Sequence, residues 1–184
     1  MSRFVSRAGA KLDHALTDFR IDVAGKICAD LGCSTGGFTD CLLQRGAAKV
    51  YAVDTGYGVL DWKLRNDPRV VVMERTNAMH ARLPEKAQLI SIDVGWTRQK
   101  NILPSAAENL APGGLVVTLI KPHYESPPAA LRKGVLPEES VDSVVSAVSA
   151  ELETLGWIVA SVVRSPIRGS GGNVEVLACL RRKE

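Results

Sequence analysis

The sequence predicts an α/β fold: a seven-stranded, mostly parallel sheet with helices on its faces and one antiparallel strand. Two observations carry this reading. Short β-branched runs alternate with helical patterns from residue 26 onward without a composition break, which is the pattern of βαβ units. The last two runs are separated only by Ser165 to Gly172, too little chain for a crossover helix, so they pair as an antiparallel hairpin.

In chain order, Arg7 to Phe19 brings Leu12, Ala15, Leu16 and Phe19 to one face, predicting a short amphipathic helix laid against the sheet with Lys11 near its start. Candidate strands follow at Lys26 to Leu31, Lys49 to Asp54, Val70 to Glu74, Gln88 to Asp93, Gly114 to Lys121, Trp157 to Arg164 and Asn173 to Leu180. Ligands of open parallel sheets sit beyond the carboxyl ends of the strands, and those ends bring Asp54, Asp93 and Lys121 together. The clearest helix follows Pro137, which suits a first helical position. Val141, Val144, Val145, Val148, Leu152 and Leu155 then recur at helical spacing before Gly156. The stretches Pro122 to Gly134 and Ser165 to Gly172 are loops.

With 184 residues, 46% of them hydrophobic and 23% charged, the chain reads as one domain, 1–184: an N-terminal helix and lead-in over 1–25 and a Rossmann-like core over 26–184. Disorder and collagen-like structure are excluded. The net charge of +3 falls short of a dedicated nucleic-acid coat, so any basic surface is local. No segment approaches the roughly 18 to 20 apolar residues of a membrane helix, and no signal-peptide core follows Met1; a cytoplasmic protein without a membrane partner is expected. Cys28, Cys33, Cys41 and Cys179 form no Cys-x-x-Cys pair, and His14, His80 and His123 lie far apart. Reduced, buried thiols and no protein-held metal are expected.

The segment Asp30-Leu31-Gly32-Cys33-Ser34-Thr35-Gly36-Gly37-Phe38-Thr39 follows the first strand and opens a helix, with Asp54 at the end of the second strand. A strand, glycine-rich loop, helix and downstream acid in register bind a nucleoside-bearing cofactor. A dinucleotide fingerprint needs a glycine where Ser34 stands, so that bare backbone approaches a pyrophosphate, which argues against NAD. The Gly32-x-x-x-Gly36-Gly37 spacing suits a phosphate-free cofactor, with backbone passing close to a ribose and an amino-acid moiety. Asp54 accepts hydrogen bonds from two ribose hydroxyls, and Asp30 meets an ammonium directly or through water; the chemistry points to S-adenosylmethionine. The competing reading is an ordinary strand-to-helix turn with Asp54 as a solvated strand end. Thr76 and Asn77 fall where an adenine edge would lie, and Asn77 equally suits a helix start toward Leu83.

Five motifs now converge. Ser6-Arg7-Ala8-Gly9-Ala10-Lys11-Leu12, the loop from Asp30 to Asp40, Ile92-Asp93-Val94, Ile120-Lys121-Pro122-His123-Tyr124-Glu125, and Ser165-Pro166-Ile167 with Gly172-Asn173-Val174-Glu175 resemble the TlyA-type members of the FtsJ-like RNA methyltransferases. Some of those proteins carry the historical label hemolysin. The resemblance spans nearly the whole chain and implies a Rossmann-like methyltransferase fold. It also implies methyl transfer from S-adenosylmethionine to a ribose 2'-hydroxyl of ribosomal RNA, free or in a ribosomal subunit. The family's Lys-Asp-Lys-Glu tetrad falls on Lys11, Asp93, Lys121 and Glu175; Lys11 and Glu175 come from the resemblance alone. Lys121 has two possible roles, a neutral base for the hydroxyl proton or an ammonium that steers the hydroxyl and stabilises a developing alkoxide. Two ammonium and two carboxylate groups sum to zero charge, which eases burying all four.

On the substrate side, Arg132, Lys133, Arg164 and Arg168 flank the two rim loops and are candidates for phosphate contacts, with Trp96 and Tyr124 as a stacking surface for an unpaired base. Related full-length proteins carry an N-terminal S4-type RNA-binding domain, whereas this chain starts almost at the Ser6-Arg7 motif, so that recruiting module is expected to be absent. Ala8 stands where a glycine is common, and Gly95-Trp96 replaces a more usual Ser-Phe. The alternatives are a noncatalytic cofactor-binding or RNA-binding domain that assists ribosome assembly and a small-molecule methyltransferase. A pore-former would need a spanning segment or a long basic amphipathic helix, and the sequence has neither. The sequence leaves the oligomeric state open.

Overall fold

The computed structural model describes residues 3–183; the first two residues of the lead-in and Glu184 of the predicted domain lie outside them. Chain order is α1 (Ala8–Asp18), β1 (Ile27–Leu31), α2 (Gly37–Gln44), β2 (Lys49–Val53), α3 (Trp62–Arg65), β3 (Val70–Met73), β4 (Ala87–Ile92), α4 (Gln99–Asn109), β5 (Leu110–Ile120), α5 (Pro122–Glu125), α6 (Val141–Thr154), β6 (Trp157–Arg164) and β7 (Val176–Arg182). The sheet order is β3-β2-β1-β4-β5-β7-β6. Every pairing from β3 through β5 is parallel, while β7 runs antiparallel to both β5 and β6. The single reversed strand is the one expected from the short connection before it.

Alternation along the strands explains the two cores. Cys28, Val50, Ala52, Leu89 and Val117 face α1 and α2, whereas Ala29, Leu31, Tyr51, Val53, Ile90 and Ile92 face α4 and α6. Both faces are covered, so the central strands read as near-continuous apolar runs rather than as a polar and apolar alternation. On α1, Leu12, Ala15 and Leu16 are buried as their spacing requires.

Three boundaries differ by three or more residues from the sequence expectation, and the stretch after β5 that reads as a loop opens with the short helix α5. Pro137 precedes a short 3-10 turn, Glu138–Ser140, and α6 starts only at Val141; Leu155, expected on the buried face, is half-exposed beyond the end of α6. β5 begins at Leu110, with an irregular register between Ala87 and Leu89 before regular pairing from Leu115. β7 begins at Val176, so Asn173 and Glu175 precede the strand. The Asn173 side chain accepts from Leu136 N at 2.9 Å and donates to Gly134 O at 3.1 Å. It thereby ties the two rim loops together.

The loops at the carboxyl ends of the strands are conformationally tense. Ser34 after β1, Arg75 after β3 and Trp96 after β4 all hold positive φ without being glycine, a conformation costing on the order of 1 kcal/mol each that concentrates at functional sites.

Candidate functional site

Two adjoining clefts open at the carboxyl ends of β1, β4 and β5 and share Gly32, Ser34 and Asp93 on their walls. The first, about 350 Å³, is bounded by Ser6 and Arg7 before α1, Lys11 on α1, Phe38 on α2 and Lys121 after β5. The second, about 240 Å³, lies between Asp54 after β2, Asn77 after β3 and Ile102 on α4.

Gly32 holds φ +88°, and a side chain there would run into the carbonyl oxygen of Asp93. The absence of Cβ lets β1 and β4 end side by side at the point where the clefts meet. Gly36, at φ +99°, serves protein packing rather than an open backbone approach: a Cβ would collide with Leu64 and come within 2.7 Å of Leu60. Gly37 lies close against Ser6 and Gly9, fixing the lead-in to α1 over the mouth of α2. This proximity gives Ser6 and Arg7 a wall of the first cleft, a role the sequence reading did not assign.

Asp54 accepts from Ser34 N at 2.8 Å through one carboxylate oxygen and from Gly56 N at 2.7 Å through the other. Each oxygen keeps acceptor capacity toward the cleft, which fits a vicinal diol. Asn77 uses Oδ1 to cap the 3-10 turn Ala78–His80, accepting from Met79 N at 3.0 Å. Its Nδ2 has no protein partner among the described residues, and Met79, Val94 and Ile102 supply an apolar slot beside it. Asn77 therefore caps a turn that ends at His80, short of the helix toward Leu83, and its amide stays available for the adenine reading. Acid, amide donor and apolar slot fit the ribose and purine of S-adenosylmethionine. Thr76 is absent from both walls: its N–H donates to Asp54 O at 2.9 Å and its hydroxyl to Glu74 O at 3.0 Å.

Asp30 is also displaced from its expected place. It is fully buried under the loop, accepting from Thr39 Oγ1 at 2.7 Å on α2 and from Ser91 Oγ at 3.2 Å on β4. Burial pushes its carboxyl up to about 7, the Thr39 hydrogen bond works against that, and Asp93 adds to it. Asp30 braces α2 against the central strands and contributes no wall to either cleft.

The four residues of the implied tetrad form two ion pairs. Lys11 Nζ pairs with Glu175 Oε2, with side-chain exposures of only 8% and 4%; Lys121 Nζ lies 2.7 Å from Asp93 Oδ1, with exposures of 15% and 20%. Lys121 also donates to Val94 O at 3.2 Å. Lys11, Asp93 and Lys121 line the first cleft, while Glu175 stands behind Lys11. His123, which the sequence reading gave no role here, packs at a tilt against Tyr124 with ring centroids 4.2 Å apart, and its Nδ1 is buried without a partner among the described residues. Burial pushes its imidazole below the ordinary value; Glu175 opposes this and Lys121 reinforces it. Cys33 reaches the first cleft, and burial, with Asp30 and Asp54 adding, pushes its thiol up and away from the nucleophilic form.

On the rim, Trp96 is 88% exposed and stacks on Tyr124 at 5.0 Å, an open aromatic face as expected. The arginines divide differently. Arg164 pairs with Glu138 at 3.1 Å and Asp142 at 2.9 Å, and Arg168 with Glu138 at 2.7 Å. Both are already neutralised, whereas Arg132 and Lys133 are exposed and without carboxylate partners among the described residues. No helix among those residues is long and apolar enough to cross a membrane.

Comparison with known proteins agrees with this fold and identifies a family. The family model described as FtsJ-like methyltransferase matches residues 4–182. YqxC of Bacillus subtilis is 43% identical over 95% of this chain and 64% of its own length. The 16S/23S rRNA (cytidine-2'-O)-methyltransferase TlyA of Mycobacterium tuberculosis is 43% identical over 97% of this chain and 68% of that protein. Hemolysin A of Brachyspira hyodysenteriae is 40% identical over 96% of this chain and 76% of that protein. The chain thus spans about two thirds of the length of the first two relatives. A solved chain from Streptococcus thermophilus that carries a hemolysin label superimposes with a TM-score of 0.95 at 41% identity, covering 100% of this chain and 69% of that one. An S-adenosylmethionine-dependent methyltransferase from Listeria monocytogenes shares the fold, with a TM-score of 0.67 at 18% identity, covering 97% of this chain and 100% of that one.

Proposed function

The chain belongs to the FtsJ-like methyltransferases, and from that premise we propose that it methylates a ribose 2'-hydroxyl of ribosomal RNA using S-adenosylmethionine. The observation that carries the proposal is the junction of the two clefts at Asp93: a diol-accepting acid lies on one side and the Lys121–Asp93 ion pair on the other. The relatives named as rRNA cytidine-2'-O-methyltransferases support the same substrate class.

Asp54 holds the ribose diol, Asn77 Nδ2 reaches an acceptor on the adenine edge, and the backbone of Gly32 and Ser34 borders both clefts. When bound, S-adenosylmethionine supplies an electrophilic sulfonium methyl. What remains for the protein is to align the ribose oxygen and assist loss of its proton. In the ammonium reading, Lys121 Nζ donates to both of its observed partners, the Asp93 carboxylate and Val94 O. Its third N–H is then free to point at the 2'-oxygen and stabilise the negative charge that builds there as the hydroxyl proton passes to solvent water and the methyl leaves the sulfonium for the oxygen. Asp93 orients the ammonium, and the Lys11–Glu175 pair closes the wall beside it without adding net charge. Trp96 and Tyr124 offer a stacking face for an unpaired base, and Arg132 and Lys133 meet phosphates.

The test is transfer of labelled methyl into isolated ribosomal RNA and into purified subunits, with the modified nucleotide mapped. Label on a ribose supports the proposal. Confirmed cofactor binding with no label in any RNA would refute it and favour a small-molecule substrate or a noncatalytic assembly role.

A further inference from the structure

We propose that Gly169 is a positioning residue of the reaction cleft, its missing side chain leaving the space in which the Glu175 carboxylate turns onto Lys11. This rests on the reading of Glu175 as part of the methyl-transfer site.

Backbone conformation does not call for glycine at this position. Gly169 has φ −73° and ψ −174°, which any residue adopts. Space does call for it: a methyl carbon there would overlap the Glu175 carboxylate oxygen, lie 2.5 Å from Cδ and 3.2 Å from Cγ. Carbon atoms in contact need 3.5 to 4.0 Å, so one partner would have to move.

The loop cannot retreat easily. Gly169 N donates to Asn173 O at 2.9 Å, the buried Asn173 side chain is tied to the neighbouring loop at Leu136 and Gly134, and Arg168 is held by Glu138. The Glu175 backbone is equally fixed, its carbonyl accepting from Ser165 N at 2.9 Å. What can move is the Glu175 side chain, by rotation away from Lys11. That rotation strands a buried ammonium on the wall of the first cleft. Gly169 therefore acts on the cleft through Glu175 and Lys11 without touching it.

The experiment compares wild type, G169A, E175D, the G169A/E175D pair and E175Q for methyl transfer, cofactor affinity and urea unfolding midpoint. G169A should lose about 100-fold in kcat, the scale of a misplaced group, with KM for RNA and cofactor Kd within about twofold. Shortening Glu175 by one methylene makes room for the methyl, so the midpoint drop caused by G169A should at least halve in the E175D background, a readout independent of activity. A G169A protein with normal kcat beside an inactive E175Q overturns this inference alone. Normal transfer by both G169A and E175Q overturns the tetrad reading and this inference with it. An undiminished midpoint drop in the E175D background also overturns it, because the methyl would then be clashing with something else.

Discussion

Removing one partner of the Lys11–Glu175 pair should be far more damaging than removing both. With side-chain exposures of 8% and 4%, neither charge has water to fall back on. Deleting one leaves the other buried and unpaired, a loss of about 3–5 kcal/mol, whereas replacing both with apolar side chains of similar volume is commonly neutral to within a few kcal/mol. Lys11→Met and Glu175→Gln should therefore each cost about 3–5 kcal/mol, and Lys11→Met with Glu175→Leu much less than the sum of its two single changes. The coupling energy expected from such a cycle is about 3 kcal/mol or more. Against a total stability of about 5–15 kcal/mol, either single variant comes close to the unfolding threshold at ordinary temperature. The assay is urea unfolding at neutral pH, with midpoints compared at constant slope. Two single substitutions that each cost under about 1 kcal/mol and add independently would refute the claim that these charges form one buried unit.

Three further outcomes follow from the same geometry. The Asp30 carboxyl is raised in the folded state to about 7 from an ordinary 3.8. Its favourable contribution is thus full below about pH 4 and lost as pH rises through 7, a change of up to about 4 kcal/mol. Asp30→Asn keeps an acceptor for Thr39 and offers its amide to Ser91, so its stability advantage over wild type should grow between pH 4 and 7 and then level off; a constant difference would contradict the assignment. Asp54→Ala removes an acceptor with two free positions and unfastens Ser34 and Gly56. Titration calorimetry should show cofactor affinity weakened by at least about tenfold, and unchanged affinity would refute the placement of the ribose. Substituting both Arg132 and Lys133 by alanine should lower the slope of log affinity for RNA against log salt by roughly 1 to 2, while Arg164→Ala should leave it unchanged because that guanidinium is already paired. Equal effects from the two variants would overturn the division of the rim.

The sheet was legible because its signals are local. β-branched runs, the short connection before β7 and the apolar spacing of α1 and α6 each act within a few residues. The partnership of Lys11 with Glu175 was not legible from spacing, since 164 residues separate them and only the folded sheet brings α1 beside the start of β7. Family resemblance supplied both residues, and the ion pair gave them a common place. Asp30 shows a signal that was present and overridden. Strand alternation puts it on the Cys28 face, under α2, where Thr39 meets it. Arg164 and Arg168 looked free because their carboxylate partners lie 22 to 30 positions away, on the 3-10 turn before α6 and the first turn of α6, whose approach depends on packing. His123 carried no sequence signal beyond its neighbour Lys121; its packing against Tyr124 is a product of the fold.

The most direct test of the account is ribose-mapped methyl transfer to ribosomal RNA by wild type and Lys121→Ala at saturating cofactor. On the proposed mechanism, loss of the Lys121 side chain should slow transfer about 100- to 1,000-fold, with cofactor affinity changed by less than about twofold and all wild-type label on a 2'-oxygen. Transfer by Lys121→Ala at the wild-type rate, or label on a base, would contradict it.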